Sequence, residues 1–410
     1  MLFSYEVGAL PDRIQMKKII KKYNSSRLNG LLIACFAALA LIFVACTAQR
    51  TGADKETDRK EDVLRVLRQT NAYFMDKWPD TKEPIYTTRW RPSNIWTRAV
   101  YYEGLMALYA IDPKIEYYRY ADDWANQHQW NMRNGVETRN ADDQACGQIY
   151  LDLYQIDKQP IKIKAIKENI DGIIASGKVD DWTWIDAIQM AMPIFAKFGS
   201  MYNDPKYYDF MHRMYLYSRN EEGGGLYNRE DKLWWRDKDF VPPYKEPNGE
   251  DCYWSRGNGW VVAALVRVLN LLPDEHPNRA FYVQDFKDMM HALLKVQRKD
   301  GFWNVSLHDP NNFGGPETSG TALFVYGMAW GMNQAILDEA QFAEPTERAW
   351  KGMVQDAVHP SGFLGFLQGT GKEPKDGQPV RFSSVPDFED YGLGCFLLAG
   401  TEYYNYLSKN

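Results

Sequence analysis

Beyond residue 46 the 410-residue chain has only three cysteines, Cys146, Cys252 and Cys395. Thiols so few and so far apart make neither a disulfide framework nor a zinc site, and no bridge is expected. The body of the chain has no block of basic residues, which argues against a nucleic-acid partner. Long β-type runs are scarce. The one long apolar run, residues 31–45, is short for a membrane-spanning helix, which needs about 20 residues. What is abundant is aromatic: 14 Trp and 26 Tyr. Aromatics at that density suit sugar platforms and ordinary helix packing alike.

The apolar run belongs to a targeting segment and is set aside from the fold. Lys17, Lys18, Lys21, Lys22 and Arg27 precede it, and it ends at Phe43-Val44-Ala45-Cys46. Small residues followed by Cys look like a bacterial lipoprotein signal, with Cys46 as the lipidated first residue. Phe43 stands where Leu is usual, so plain secretory cleavage is the alternative. Met16 is an alternative start. The expected organisation is a leader over 1–45, a polar tether over 46–61 and one domain over 62–407. The leader carries six basic and two acidic side chains, so removing its +4 from the whole-chain −6 leaves the mature chain near −10. The expected location is periplasmic or anchored to the outer membrane of a Gram-negative bacterium, with membrane contact only through a lipidated Cys46.

From residue 62 apolar residues recur three and four apart, as in Val63, Leu64, Val66 and Leu67. The spacing predicts about twelve helices: 62–78, 95–111, 113–129, 143–156, 161–175, 184–198, 205–218, 255–270, 279–297, 319–337, 345–356 and 389–406. Three helices run into a glycine followed by apolar residues, at Gly223-Gly224-Gly225-Leu226-Tyr227, Gly301-Phe302-Trp303 and Gly362-Phe363-Leu364. Each glycine can supply a left-handed helix stop, and a short extended hairpin can follow. Six helical hairpins close into a double ring. The expected fold is therefore all-α, an (α/α)6 barrel of helical hairpins with short β-hairpins in the rim loops. A two-layer α-solenoid is the alternative, but long loops at 219–254 and 358–388 suit a rim better.

Several clusters fall where helices begin. Asp186 follows Trp182 and Trp184 and opens a helix. A carboxyl walled by indoles tends to stay protonated, as a general acid requires. Alternatively Thr183-x-x-Asp186 is a capping box, and the helix dipole favours the charged form. Asp142-Asp143 opens another helix, as a cap or as a second carboxylate beside Asp186. Tyr102 is a candidate to face the barrel axis. In Trp254-Ser255-Arg256-Gly257-Asn258-Gly259-Trp260, two glycines are costly in regular helix, a cost better tolerated where backbone must approach something closely. Arg256 there offers a fork for a carboxylate; a structural pairing with an acid such as Asp251 is the alternative. Glu317-Thr318-Ser319-Gly320 and Asp387 to Gly392 read as helix starts.

With Trp184-x-Asp186, Met190, Trp254-x-Arg256-Gly257-Asn258-Gly259-Trp260, Glu317-Thr318-Ser319-Gly320 and Asp387 to Gly394 in this order, residues 62–406 resemble the unsaturated rhamnogalacturonyl hydrolases of glycoside hydrolase family 105. These are related to the family 88 unsaturated glucuronyl hydrolases. The resemblance implies an (α/α)6 barrel that removes a 4,5-unsaturated uronic acid from the non-reducing end of lyase-generated oligosaccharides. It implies that Asp186 protonates C4 of the vinyl ether and then assists water attack at C5. It further implies Asp143, within one residue, as second carboxylate, Arg256 on the substrate, and Trp184, Met190, Trp254 and Trp260 around it; Tyr102 and Asn258 are candidate substrate contacts beside these. No metal and no cofactor are implied. The expected partner is an acidic oligosaccharide. Lys178 and Arg236 are further candidates to hold its carboxylate. The family's His-Gly-Trp-Asp motif is missing; Leu233-Trp234-Trp235-Arg236-Asp237 stands in its place, so rhamnose as the next sugar is not assumed. An inverting glycosidase, with carboxylates about 6.5–9.5 Å apart, and a non-catalytic glycan-binding lipoprotein are the competing expectations.

Overall fold

The computed structural model describes residues 57–87 and 89–409. The expected leader, most of the tether and Cys46 lie outside these residues. The last tether residues, 57–61, are already helical. Lys60–Asn410 packs as one compact unit.

Among the described residues there are twelve helices of eleven residues or more. They are α1 (57–77), α2 (Trp96–Ile111), α3 (Ile115–Gln127), α4 (Cys146–Ile156), α5 (Ile161–Ser176), α6 (Asp186–Tyr202), α7 (Pro205–Asn220), α8 (Ser255–Leu269), α9 (Arg279–Lys295), α10 (Thr318–Asn333), α11 (Glu339–Gly352) and α12 (Asp390–Leu407). The even-numbered helices pack side by side in chain order, and α12 packs back on α2, which closes an inner ring. The odd-numbered helices pack outside it. This is the (α/α)6 barrel. Composition sets the layering. Of the sixteen residues of α10 all but Met332 are buried, as an inner helix touched on all sides requires, whereas α3 buries one stripe.

Two features let the inner helices pack so closely. A Cβ on Gly394 of α12 would lie 2.1 Å from the carbonyl oxygen of Val100 in α2, and one on Gly104 would lie 2.5 Å from that of Gly394. Only glycine allows that seam. Pro193 inside α6 removes the N–H that would bond the Gln189 carbonyl. Gln148 of α4 replaces it, its Nε2 donating to that oxygen at 2.7 Å.

Rim segments carry two antiparallel hairpins, β1 (Ile85–Tyr86) with β2 (Trp90–Arg91) and β3 (Tyr227–Asn228) with β4 (Leu233–Trp234). The glycine stops have positive φ, +91° at Gly301 and +96° at Gly362. The extended stretches after them form single bridges, Trp303 to Glu317 and Leu364 to Val358. Cys146, Cys252 and Cys395 are buried free thiols.

Candidate active site

The N-terminal ends of the inner helices meet at one rim. Thr97 and Arg98 of α2 bond Asp390 of α12, Arg256 of α8 bonds Tyr391 of α12, and the Thr318 amide of α10 bonds the same loop as Arg256. Each helix start brings unpaired N–H groups and a positive dipole end. The rim therefore favours anions before any side chain is considered.

Asp186 is the first residue of α6 and 9% exposed. Its cap residue is Ile185, which makes no side-chain cap. The expected capping box is absent; Thr183 faces solvent. Instead the chain before α6 is held by the segment after β4. The Ile185 amide donates to the Arg236 carbonyl at 2.9 Å, and Trp184 bridges Asp237. That pairing carries the Arg236 guanidinium to Asp186. Nε donates to Oδ2 of Asp186 at 3.2 Å, and Nη1 to Asp237 at 2.6 Å. Burial works against the charge of Arg236, but Asp186 and then Asp237 outweigh it and raise its proton affinity. Arg236 is thus a fixed cation at the carboxylate.

The second carboxylate is set by the single turn Ala141–Gln144, capped by Asn140, whose side chain accepts from the Asp142 amide at 2.8 Å. Asp143 points into the protein and is fully buried. Its Oδ2 accepts from Asn134 and Thr138, each at 2.7 Å, and its Oδ1 meets Arg133 at 2.7 Å. It ties down the 131–140 segment. Asp142 is half-buried and near enough to Asp186 for the two charges to interact. Burial first, then the charge of Asp186, pushes its carboxyl up to about 7, against the pull of Arg133 and Arg236. The carboxylate brought to Asp186 is Asp142, and Asp143, expected at that place, is held away by its own hydrogen bonds. Choosing between the two needed the loop contacts, which a two-residue acidic pair does not encode.

The sequence model of glycosyl hydrolase family 88 matches residues 66–407. The chain belongs to glycosyl hydrolase family 88. It is 32% identical over 327 residues to the unsaturated 3S-rhamnoglycuronyl hydrolase of Formosa agariphila, covering 75% of this chain and 83% of that protein. A solved family 88 glycosyl hydrolase from Bacteroides vulgatus superposes with a TM-score of 0.77 at 31% identity, covering 85% of this chain and 99% of that one. A solved structure described as a polysaccharide lyase superposes equally well, TM-score 0.77 at 30% identity, over 86% and 99% of the two chains. The resemblance read from the motifs thus falls to family 88, and the protein is a glycosidase.

In this family 88 glycosidase the Arg-Gly-Asn-Gly-Trp stretch supports the site from behind. Arg256 is 1% exposed. Its Nη1 donates to the Gln368 carbonyl at 3.0 Å and the Tyr391 hydroxyl at 2.9 Å, and its Nη2 to the Gly369 carbonyl at 2.8 Å. The fork expected to take a substrate carboxylate is spent on the 358–388 loop. The Asp251 alternative does not hold either, since that acid pairs with Lys245. Asn258 is a clamp: its Oδ1 accepts from the Trp234 amide at 2.9 Å and its Nδ2 donates to the Trp234 carbonyl at 3.0 Å. It fixes β4, and with it Arg236 two residues on. Gly257 lets Ile185 and Trp254 close in, since a Cβ there would stand 3.0 and 2.8 Å from them.

Of the expected aromatic lining, Trp184 is half-buried at the rim. Trp254 is 1% exposed and donates its Nε1 to Gln368 at 2.9 Å. Trp260 is fully buried, edge-on to Trp96 at 6.1 Å, and Met190 is buried beneath Asp186. Tyr102 departs from expectation. It stacks on Trp124 of α3 at 4.4 Å and lies between the two helix layers, not on the axis. Lys178 is engaged with Asp180 and Asp181. The sequence underrated Arg236 and Asp237; the missing family motif marked their place but not their role.

Proposed function

We propose that this chain hydrolyses oligosaccharides ending in a 4,5-unsaturated uronic acid, with unsaturated rhamnoglycuronyl compounds the first class to try. The observation that carries this is the Asp142–Asp186 pair, one carboxyl proton-retentive and the other on a guanidinium, at a rim of helix N-termini. The family and the substrate of the Formosa relative support it.

The reaction hydrates a vinyl ether. Asp186 delivers a proton to C4. The C4=C5 π electrons form the new C4–H bond, and the ring oxygen stabilises the cation left at C5. Water adds to C5 and returns its proton to Asp186. The product is a hemiketal; opening of C5–O5 leaves C1 as a hemiacetal that expels the aglycone. Asp142 stands as the neighbouring proton reservoir. One group that gives and then accepts a proton works best with affinity near the working pH.

The test follows the absorbance of the conjugated uronate on products of several polysaccharide lyases. Loss of absorbance is expected. Asp186→Asn should lower the rate by about 10²–10⁴-fold, the usual worth of a general acid, with helical circular dichroism unchanged. Gain of absorbance on intact polysaccharide would replace this reading with a lyase. Turnover of saturated glycosides would replace it with an inverting glycosidase, and binding without turnover with a glycan-binding protein. We place the protein on a periplasmic or outer-membrane surface through lipidated Cys46; release into the soluble fraction by Cys46→Ser is the expected outcome.

A further inference from the structure

We propose that Arg236 exchanges partners when substrate binds: the substrate's carboxylate takes the guanidinium edge that Asp186 holds in the free protein, and Asp186 then takes up a proton. This rests on the reading of a uronate-directed hydrolase given above.

A general acid must meet its substrate protonated. Asp186 sits at a helix start with the Arg236 guanidinium on its Oδ2, a contact that has to open before the carboxyl can hand a proton to carbon.

The geometry of Arg236 shows how. Some arginines elsewhere in this chain grip a carboxylate with the complete Nε–Nη2 edge, whereas Arg98 meets Asp390 through Nε alone at 3.1 Å. Arg219 holds Asp285 at 2.9 and 2.8 Å, and Arg68 holds Asp112 at 2.9 and 2.8 Å. Arg236 offers Asp186 only Nε, at 3.2 Å, while Nη1 is committed to Asp237 at 2.6 Å. Its Nη2 has no protein partner among the described residues, and the side chain is 20% exposed. The Nε–Nη2 edge is therefore half-filled and reachable. A planar carboxylate can fill it with two parallel hydrogen bonds, a stronger contact than the single long one it displaces. Asp237 keeps the guanidinium in place during the exchange.

The proton has a local source. The charged groups around Asp186 are Asp142, Asp143 and Arg133 of the 131–144 segment and Arg236 and Asp237 after β4. Asp143 and Arg133 are paired with each other. Once the substrate's negative charge arrives and Arg236 turns to it, Asp186 stands among anions and gains proton affinity. The proton comes from Asp142 where that group is neutral, and from solvent where it is not. With Asp142 pushed up to about 7, that group has mostly given up its proton at pH 8, so binding there draws a proton from buffer. A substrate lacking the carboxylate leaves Arg236 on Asp186, which makes the exchange a check on substrate identity.

Saturated glucuronate is the probe, because it has the carboxylate and no C4=C5 bond to react. Its binding is measured by calorimetry at pH 8 in phosphate and in Tris, whose ionisation enthalpies differ. Wild type should take up close to one proton per glucuronate. Arg236→Lys, which keeps the charge but not the edge, should bind at least tenfold more weakly with reduced uptake; Arg236→Gln should lose binding while its helical circular dichroism stays that of wild type. Absence of glucuronate binding to wild type, binding without proton uptake, or equal binding by Arg236→Gln each overturns the proposal. The turnover assay on lyase products is separate: if it succeeds while the calorimetry fails, the functional reading stands and the exchange falls.

Discussion

Two adjacent aspartates divide the labour of this site by the direction of their side chains. Asp143 satisfies Arg133, Asn134 and Thr138 in the interior. Asp143→Ala takes the acceptor from Asn134 and Thr138 and the counter-charge from part-exposed Arg133, and should cost about 1–3 kcal/mol of stability, as unmade buried hydrogen bonds do; chemical denaturation measures it. Asp142 has the opposite sign. Its folded-state affinity is raised to about 7 by burial and then by Asp186, above an unfolded value of about 4. The stability this contributes is fully present below pH 4 and is lost as pH rises through 7. Asp142→Asn should thus be more stable than wild type at pH 8, by about 2 kcal/mol once partial exposure to water is allowed for, and level with it at pH 4. Unfolding curves at both pH values decide this, and a variant destabilised equally at both contradicts it. Wild-type kcat/KM should fall above pH 7, and that of Asp142→Asn should not. Sequence alone left these two residues undivided, because both suit the first turn of a helix and only the 131–138 loop separates them.

At the scale of elements the barrel was legible because inner and outer helices differ in pattern. Inner α8 and α10 read as continuous apolar runs and outer α3 and α7 as stripes, and the twelve expected helices stand where twelve are found. Where bounds moved, local chemistry explains it. The eleventh was expected to start at Pro345, a residue at home in a first turn. Asp338 caps it instead, accepting from the Ala340 amide, and Pro345 falls inside. Support of the site through β4 was not legible, since the Asn258–Trp234 bonds join segments 24 residues apart. Neither was the seam between α2 and α12, which depends on two glycines 290 residues apart (104 and 394). Gly394→Ala forces a methyl group against the Val100 carbonyl. Overpacking of that kind costs about 1–3 kcal/mol. The thermal midpoint should fall, and since the seam lies within the ring rather than at Asp186, kcat well below the new midpoint should change less than twofold.

Across the whole molecule the inner helices act as six aligned dipoles. Their positive ends surround Asp186, and their other halves carry the cations Lys197 and Arg267 with Glu103 and Asp152. α6 has 17 residues, a length of about 25 Å at 1.5 Å per residue. Two to three Debye lengths at physiological salt thus separate the ends, each about 8 Å. A chain of net charge −6 can therefore still present a positive rim to an anionic sugar, because acids on the outer wall and far end are screened from it. The rim itself is only partly dry: Arg236 is 20% and Arg133 27% exposed. Salt should then weaken capture of a charged substrate without touching a neutral one. Between 0.05 and 0.5 M salt, kcat/KM for an unsaturated uronyl oligosaccharide should fall several-fold, while the methyl ester of the same sugar, slower from the start, should hold constant. An identical salt response of acid and ester would mean that the carboxylate is not what the rim attracts, and that the orientation of the inner helices has no part in substrate choice.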